Sequence, residues 1–426
     1  MRTFTCTITT LAILLSVLLI SSVHVNTVQA YDQKGDIINS NTVWTKLNSP
    51  YTLTGSVGIA EGATLTIDPG VTVNLGSYTL EVNGTLIAQG TSAEKIVFNS
   101  DLPNMQPALN INLPYDNPSC KIENAVLYQT SIHAQSYYSN ASVTINNCSF
   151  EGNAGINIWG STTVSNSYIT GGVSLRGSSV VSNSKMLNGI DISGSYTLSD
   201  NTITNSQGIW VVDAGEAGSS TQTAKILNNI IYGGSTAGIN LASSATVQGN
   251  LIIDNQIGIS VRSEQDTSVL NHNTIIDNKI GLRTPASGTK VNNNNFEKNT
   301  ENNLVAGNSA VDVTNNWWGN TDSSVIDNKI LDNTDDFNLG KVNYTPFLTM
   351  PDSQAPSSIY TPVTTPNPSN SQNPSVRPDQ SGPQTVAFLG LDWMQIAALV
   401  LLTVIAVLLV FVIVFLRKRS VTSQAF

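Results

Sequence analysis

Between Lys121 and Trp318 a short phrase keeps returning: an apolar, Thr or Lys residue, two residues, then Asn. It reads "KIEN", "TINN", "TVSN", "VVSN", "LSDN", "ILNN", "VQGN", "LNHN", "VNNN" and "VTNN", closing at Asn124, Asn147, Asn166, Asn183, Asn201, Asn229, Asn250, Asn273, Asn294 and Asn316. The closing asparagines are 17 to 28 residues apart. Two places after most of them stands an apolar or aromatic residue: Val126, Tyr168, Ile203, Ile231, Ile252, Ile275, Phe296, Trp318. Lys185 and Ser149 interrupt that rule, with Met186 and Phe150 one place on. Seven copies add a second phrase, Gly followed by apolar-x-apolar, starting at Gly155, Gly172, Gly189, Gly208, Gly238, Gly258 and Gly281, the last with Thr in the final place. A repeat this short decides the fold, because one unit cannot bury its apolar face alone and must stack on the next.

Each unit supplies two or three short strands joined by polar turns. A leucine-rich repeat needs several Leu and a helix or turn per unit, and a propeller blade needs about twice the length. A parallel β-helix meets the arithmetic, because each strand pairs with its equivalent one coil away, about 4.8 Å along the axis. Equal positions then stack, and ten asparagines in one register predict a ladder of buried amides at a turn. The stretch Tyr51–Phe98 alternates apolar and polar residues ("ATLTID", "VTVNL", "LEVNG", "KIVFN") between Gly and Pro turns, as half-buried strands do. No amphipathic helix of normal length is expected between Tyr31 and Leu348.

These features resemble the right-handed parallel β-helix proteins of the pectate-lyase-like superfold. The nearest branch is that of exported and surface proteins with short β-helix repeats, to which the periplasmic copper-processing protein of nitrous oxide reductase maturation is distantly similar. The resemblance covers roughly 43–350. "GVTVNLGSYTLEVNGTLIAQGTSAEKIVFNS" matches the first coils, and "NNWWG" with the later "VNYTPFL" matches the closing elements. It implies the fold and leaves function open among lyases, hydrolases, adhesins and structural proteins. Copper chemistry is not carried over, since His133 and His272 sit in different coils and offer no metal-ligand spacing.

The ends address the chain to an envelope. Residues 1–30 read as a signal peptide, with Arg2, an apolar core Ile8–Ile20 and a Val28-Gln29-Ala30 cleavage site. Ile396–Leu416 carries no charge and no Pro, enough for one transmembrane helix over 394–416. Arg417-Lys418-Arg419 then places the short tail 417–426 in the cytoplasm and the repeats outside. Between them Pro346–Gln384 holds nine Pro, which makes 351–385 a stalk rich in Pro, Ser and Thr. The composition also excludes a partner class. Charged residues are 11% of the chain and the net charge is −10, so no nucleic acid is expected on so acidic a surface.

Stacking also gives a way to look for sites, because equal offsets form columns. Four places after Asn250, Asn273 and Asn294 stand Asp254, Asp277 and Lys298, a set that could hold Ca²⁺ or work on a uronate, or that simply forms solvated turns. The middle residue of the second phrase should face outward, giving a column Asn157, Ser174, Asp191, Trp210, Asn240, Ser260, Arg283. Of these, Trp210, Asp191, Asn157, Asn240 and Arg283 are the candidate carbohydrate contacts, for a polysaccharide or envelope glycan. Sequons occur at Asn83, Asn140, Asn147 and Asn343, and Asn147 would be shielded if it belongs to the ladder. Cys120 and Cys148 leave a disulfide open. Trp317 and Trp318 are expected to close the last coil, Trp318 inward and Trp317 outward against a returning segment Phe337–Leu348. The functional expectation is a membrane-anchored binding or scaffold protein. A polysaccharide lyase or glycoside hydrolase on the same fold, and a passive spacer, are the alternatives.

Overall fold

The computed structural model describes residues 31–33, 35–100, 108–113, 120–136, 142–204, 207–212, 224–284 and 286–357. The expected signal peptide, the expected membrane span, most of the expected stalk and Asn140 lie outside the described residues. The chain divides into two compact units, Met1–Ser371 and Gln372–Phe426, and every described residue belongs to the first.

Among the described residues, strands cycle through three parallel sheets of 13, 14 and 12 strands, here sheets 1, 2 and 3 in the order the chain visits them. Every coil therefore carries three strands. Pairing starts at Tyr31–Gln33, ahead of the expected boundary at 43. The alternation seen in the sequence becomes the wall of the solenoid. In Thr64–Ile67, Leu65 and Ile67 are buried, while Thr64 and Thr66 lie at the surface. Each fully buried Leu or Ile contributes about 1.5–3 kcal/mol relative to exposure, and the same inward columns repeat over the whole length.

The amide ladder is present at the turn from sheet 3 to sheet 1. Asn201, Asn229, Asn250, Asn273, Asn294 and Asn316 are all buried. Asn273 shows the pattern. Its backbone N–H and its Nδ2 both donate to Asn294 Oδ1 (3.0 and 2.9 Å), and Nδ2 also donates to Val247 O (2.8 Å). One side chain thus satisfies backbone groups of its own coil and of its neighbours, groups that would cost about 1–3 kcal/mol each if left unpaired.

In the first four repeats the expected register is wrong by one residue. Asn124, Asn147, Asn166 and Asn183 all have φ near +50° and occupy the left-handed turn position. The ladder column there is Ala125, Cys148, Ser167 and Ser184. Ser184 N–H donates to Asn201 Oδ1 (3.0 Å), Ser167 N–H to Ser184 Oγ (3.1 Å) and Cys148 N–H to Ser167 Oγ (3.2 Å). Asn147 is half-buried, and its amide donates to Asn124 Oδ1, so it is a turn residue and not a buried rung. The inward residues follow the corrected register: Leu127, Phe150, Ile169 and Met186 are buried, whereas Tyr168 is only half-buried. Cys148 carries this column on to Ala125, whose backbone hydrogen-bonds to its sulfur, and the thiol lies 3.3 Å from both Ile122 O and Asn146 O. Cys120 and Cys148 are both free and buried, so the bridge left open by the sequence is not formed. Burial pushes the Cys148 thiol up to about 12, against the hydrogen bonds and the Lys95 charge that lower it.

A second ladder, not anticipated, runs along the turn from sheet 1 to sheet 2. Gly234 N–H donates to Asn255 Oδ1 (2.8 Å), Asn255 N–H to Asn278 Oδ1 (3.0 Å), Asn278 N–H to Asn299 Oδ1 (3.0 Å), and Asn299 Nδ2 closes the line on Asn303 Oδ1 (2.9 Å).

Aromatic stacks sit near both ends of the core. Trp44 lies on Tyr51 at 4.7 Å and 11° in the first coils, and Trp318 on Phe296 at 4.7 Å and 13° in the last. Trp318 is inward and 3% exposed. Trp317 is half-buried, its Nε1 donating to Glu297 Oε1 (3.1 Å). Beyond it come a one-turn helix, Ser323–Asp327, and a strand, Ile330–Leu331, that extends sheet 2. Asp332 pins the turn that follows. Burial works to raise its carboxyl pKa, but hydrogen bonds from Thr334 and Val342 bring it below the ordinary value. The returning segment does pair, through Val342–Asn343 against Val311–Asp312. Phe337 takes no part in it and is 89% exposed. The chain then runs back along the outside of sheet 1. Leu348 N–H donates to Asn316 O (2.9 Å), Asp352 N–H to Asn295 Oδ1 (2.7 Å) and Thr274 Oγ1 to Pro356 O (2.6 Å), while Asp352 Oδ2 meets His272 Nδ1 at 2.7 Å. Residues 351–357 are thus docked on the coils and not part of a free stalk.

Two outcomes test this packing. Trp318→Ala should destabilise the domain by about 3–5 kcal/mol in chemical denaturation, because it empties the end of the core. The two buried thiols should resist alkylation at mildly alkaline pH in the native protein and react only after unfolding.

Candidate glycan-binding face

The outward column predicted from the second phrase is formed by the strands of sheet 2. In each strand the two apolar residues of the phrase turn inward, as Ile156 and Ile158 do, so the residue between them turns out. The glycines before these strands pack coil on coil: a Cβ at Gly155 would collide with the carbonyl of Gly172, and one at Gly189 with that of Gly208. That close approach fixes the register of the face. His133, Asn157, Ser174, Asp191, Trp210, Asn240, Ser260 and Arg283 are successive neighbours across the sheet. At about 4.8 Å per strand the run from Asn157 to Arg283 is roughly 30 Å long.

A second outward file lies two residues further along the strands and was not singled out from the sequence. It contains Trp159, Arg176 and Ser193, which pair in that order. Arg262 follows the last residue of its strand, Ile257–Val261. The signal was available: these are fifth places of "GINIW", "GVSLR" and "GISVR", outward by the same alternation. They change the character of the face. The Arg176 guanidinium lies over the Trp159 ring at 4.7 Å, and that of Arg262 over the Trp210 ring at 4.9 Å. Asn157, Trp159, Arg176, Arg262 and Arg283 are exposed, Asp191 and Trp210 are half-buried, and Asn240 is buried. Burial raises the Asp191 carboxyl pKa, and the nearby Arg176 charge pulls it back down.

Asp254, Asp277 and Lys298 are exposed and stand one coil apart, each with φ near +55°. Each immediately precedes a rung of the second ladder, Asn255, Asn278 or Asn299. A left-handed turn before a buried amide accounts for short polar residues there, since Asp and Asn tolerate that conformation best. Among the described residues no group of three His, Cys, Asp or Glu could hold a metal ion. A shallow hollow of about 230 Å³ on the outside of sheet 3, bordered by Lys225, Thr246 and Thr267, lies away from this face and brings no carboxylate. Among the sequons, Asn83 and Asn343 are exposed.

A family model described as "Right handed beta helix region" matches residues 162–330, a span that contains most of this face. No curated protein and no solved structure matches the chain.

The electrostatics can be checked directly. In Arg176→Gln the Asp191 carboxyl should titrate at higher pH than in the parent, because the cation that favours the carboxylate is gone. Side-chain carboxyl NMR would read the shift, and an unchanged or lower value would contradict the geometry.

Proposed function

We propose that this chain is a surface-displayed β-helix whose sheet 2 face binds glycans of its envelope or of a neighbouring surface. The observation that carries the reading is the pair of Trp–Arg stacks set in a file of Asn, Ser and Asp on one outward face. An indole–guanidinium stack offers a sugar an apolar surface bordered by N–H donors, and a few polar groups fixed on rigid strands supply further directional hydrogen bonds. Strands also hold such groups better than loops do. The expected signal peptide, stalk, span 394–416 and cytoplasmic tail would present the solenoid outside the cell, with one membrane crossing as anchor. Among the described residues no helix is long and apolar enough to cross a membrane.

The binding reading is preferred to a lyase or hydrolase because the candidate acids Asp254 and Asp277 sit at left-handed turns where the fold alone explains them, and Lys298 occupies the same turn one coil on. It is preferred to a passive spacer because a spacer has no need for arginines held over tryptophans.

On a glycan array, the full chain should bind, and Trp210→Ala and Asp191→Ala should each weaken binding by at least about tenfold while melting as the parent does. Unchanged binding in both variants would end the reading. Unsaturated or new reducing ends released from any bound polysaccharide would favour the enzyme instead.

A further inference from the structure

Arg176, Arg262 and Arg283 are the only arginines among the described residues, and all three lie on the outside of sheet 2. Among the described residues none of them forms an ion pair within 4 Å, although the chain has 29 Asp and Glu. Arg176 has Asp191 close enough to lower that carboxyl's pKa.

The surroundings of Arg262 are the most specific. Its strand is two coils from that of Trp210, and the strand between them is the one that carries Asn240. To place its guanidinium over the Trp210 ring, Arg262 reaches back past Asn240. Asn240 is 3% exposed although it faces outward, and its Nδ2 has no hydrogen-bond partner. A buried amide donor without an acceptor costs free energy and marks a place where a group is missing. Around it stand the Trp210 indole, the Arg262 guanidinium stacked on it and the unpartnered amide donor. Those two polar groups can only donate in this setting. An acceptor oxygen with more than one lone pair satisfies both, and beside a guanidinium without an ion pair the strongest such acceptor is an anionic one, a carboxylate, sulfate or phosphate oxygen.

We infer that Trp210, Asn240 and Arg262 form a subsite for an anionic sugar unit, with Trp210 holding the Arg262 guanidinium in place and the acidic oxygens received by that guanidinium and Asn240 Nδ2. Arg283, paired with Ser260 on the next coil, extends the positive field along the axis for a following charged unit. The proposal rests on the glycan reading of this face and adds the charge class. Asp191, on the other side of Trp210, sets a boundary: it disfavours an acidic group toward that end of the file.

The test compares polymers that share one neutral backbone: dextran, carboxymethyl-dextran and dextran sulfate, each immobilised and titrated with the full chain in detergent at about 0.15 M salt. A charged form should be bound at least roughly tenfold more tightly than dextran, and Arg262→Gln and Asn240→Ala should each remove most of that preference. Arg262→Lys should recover charge-dependent binding only in part, because an ammonium lacks the planar fork. Whichever charged polymer binds more tightly identifies the oxygen source, carboxylate or sulfate. Equal binding of neutral and charged polymers, or a preference that survives Arg262→Gln, overturns the inference. Binding of dextran that is lost in Trp210→Ala would then still uphold a glycan face. If neither these polymers nor any member of a glycan array binds, both fall together.

Discussion

The whole domain depends on one distance, the spacing between hydrogen-bonded strands. Because every strand pairs with its copy one coil away, each residue has the equivalent residues of adjoining coils as its nearest neighbours, about 4.8 Å above and below. A buried polar group at a turn is then either repeated or orphaned. Asn solves this because it accepts with Oδ1 and donates twice with Nδ2, so each rung answers backbone groups in adjacent coils. The line Asn201–Asn229–Asn250–Asn273–Asn294–Asn316 is this solution, and Asn255–Asn278–Asn299 repeats it at a second turn. In the coils 17 residues apart the same task falls to hydroxyls: Ser184 accepts from Ser167 N–H and donates to Ser182 O. A hydroxyl makes fewer bonds than an amide, and Cys148 makes the weakest ones, so the column weakens toward its N-terminal end.

Much of this was legible in the sequence because a solenoid turns three-dimensional proximity into one-dimensional periodicity. The parallel stacking, the strand alternation and the outward column through Trp210 all follow from position alone. The register of the first repeats did not, and the reason is physical. Asn suits both the left-handed turn and the buried rung, so Asn147 and Asn250 look alike although one is a turn and the other a rung. The apolar residue two places on gave a partial mark: it failed at Asn147 and Asn183 and holds at Cys148 and Ser184, but Val126 and Tyr168 satisfied it at Asn124 and Asn166, which are turn residues too. The second ladder was hidden for a similar reason: in "DN" the acid drew the eye, while the following Asn carries the structure.

The candidate site divides the same way. Which residues share the face is a matter of alternation and could be read. How Arg262 crosses to Trp210, and that Asn240 lies buried with an unanswered amide, depends on side-chain reach across coils and cannot be read from spacing. The consequence for recognition is an unequal charge distribution. An acidic chain has placed its few described arginines on one side, each within reach of the same line of strands. An interior made of Ile, Leu, Val and stacked amides tolerates no charge, so what distinguishes one solenoid face from another is confined to its outward positions.

The docked residues 351–357 have a mechanical meaning. Tension arriving along the chain beyond Ser357 would first meet Thr274 at Pro356, and then His272 and Asn295 at Asp352. Those contacts belong to coils that lie before the last one. A pull is therefore delivered first to the side wall, where neighbouring coils share it through the sheet ladders. The closing coil is thereby spared as the first point at which such a pull is taken up.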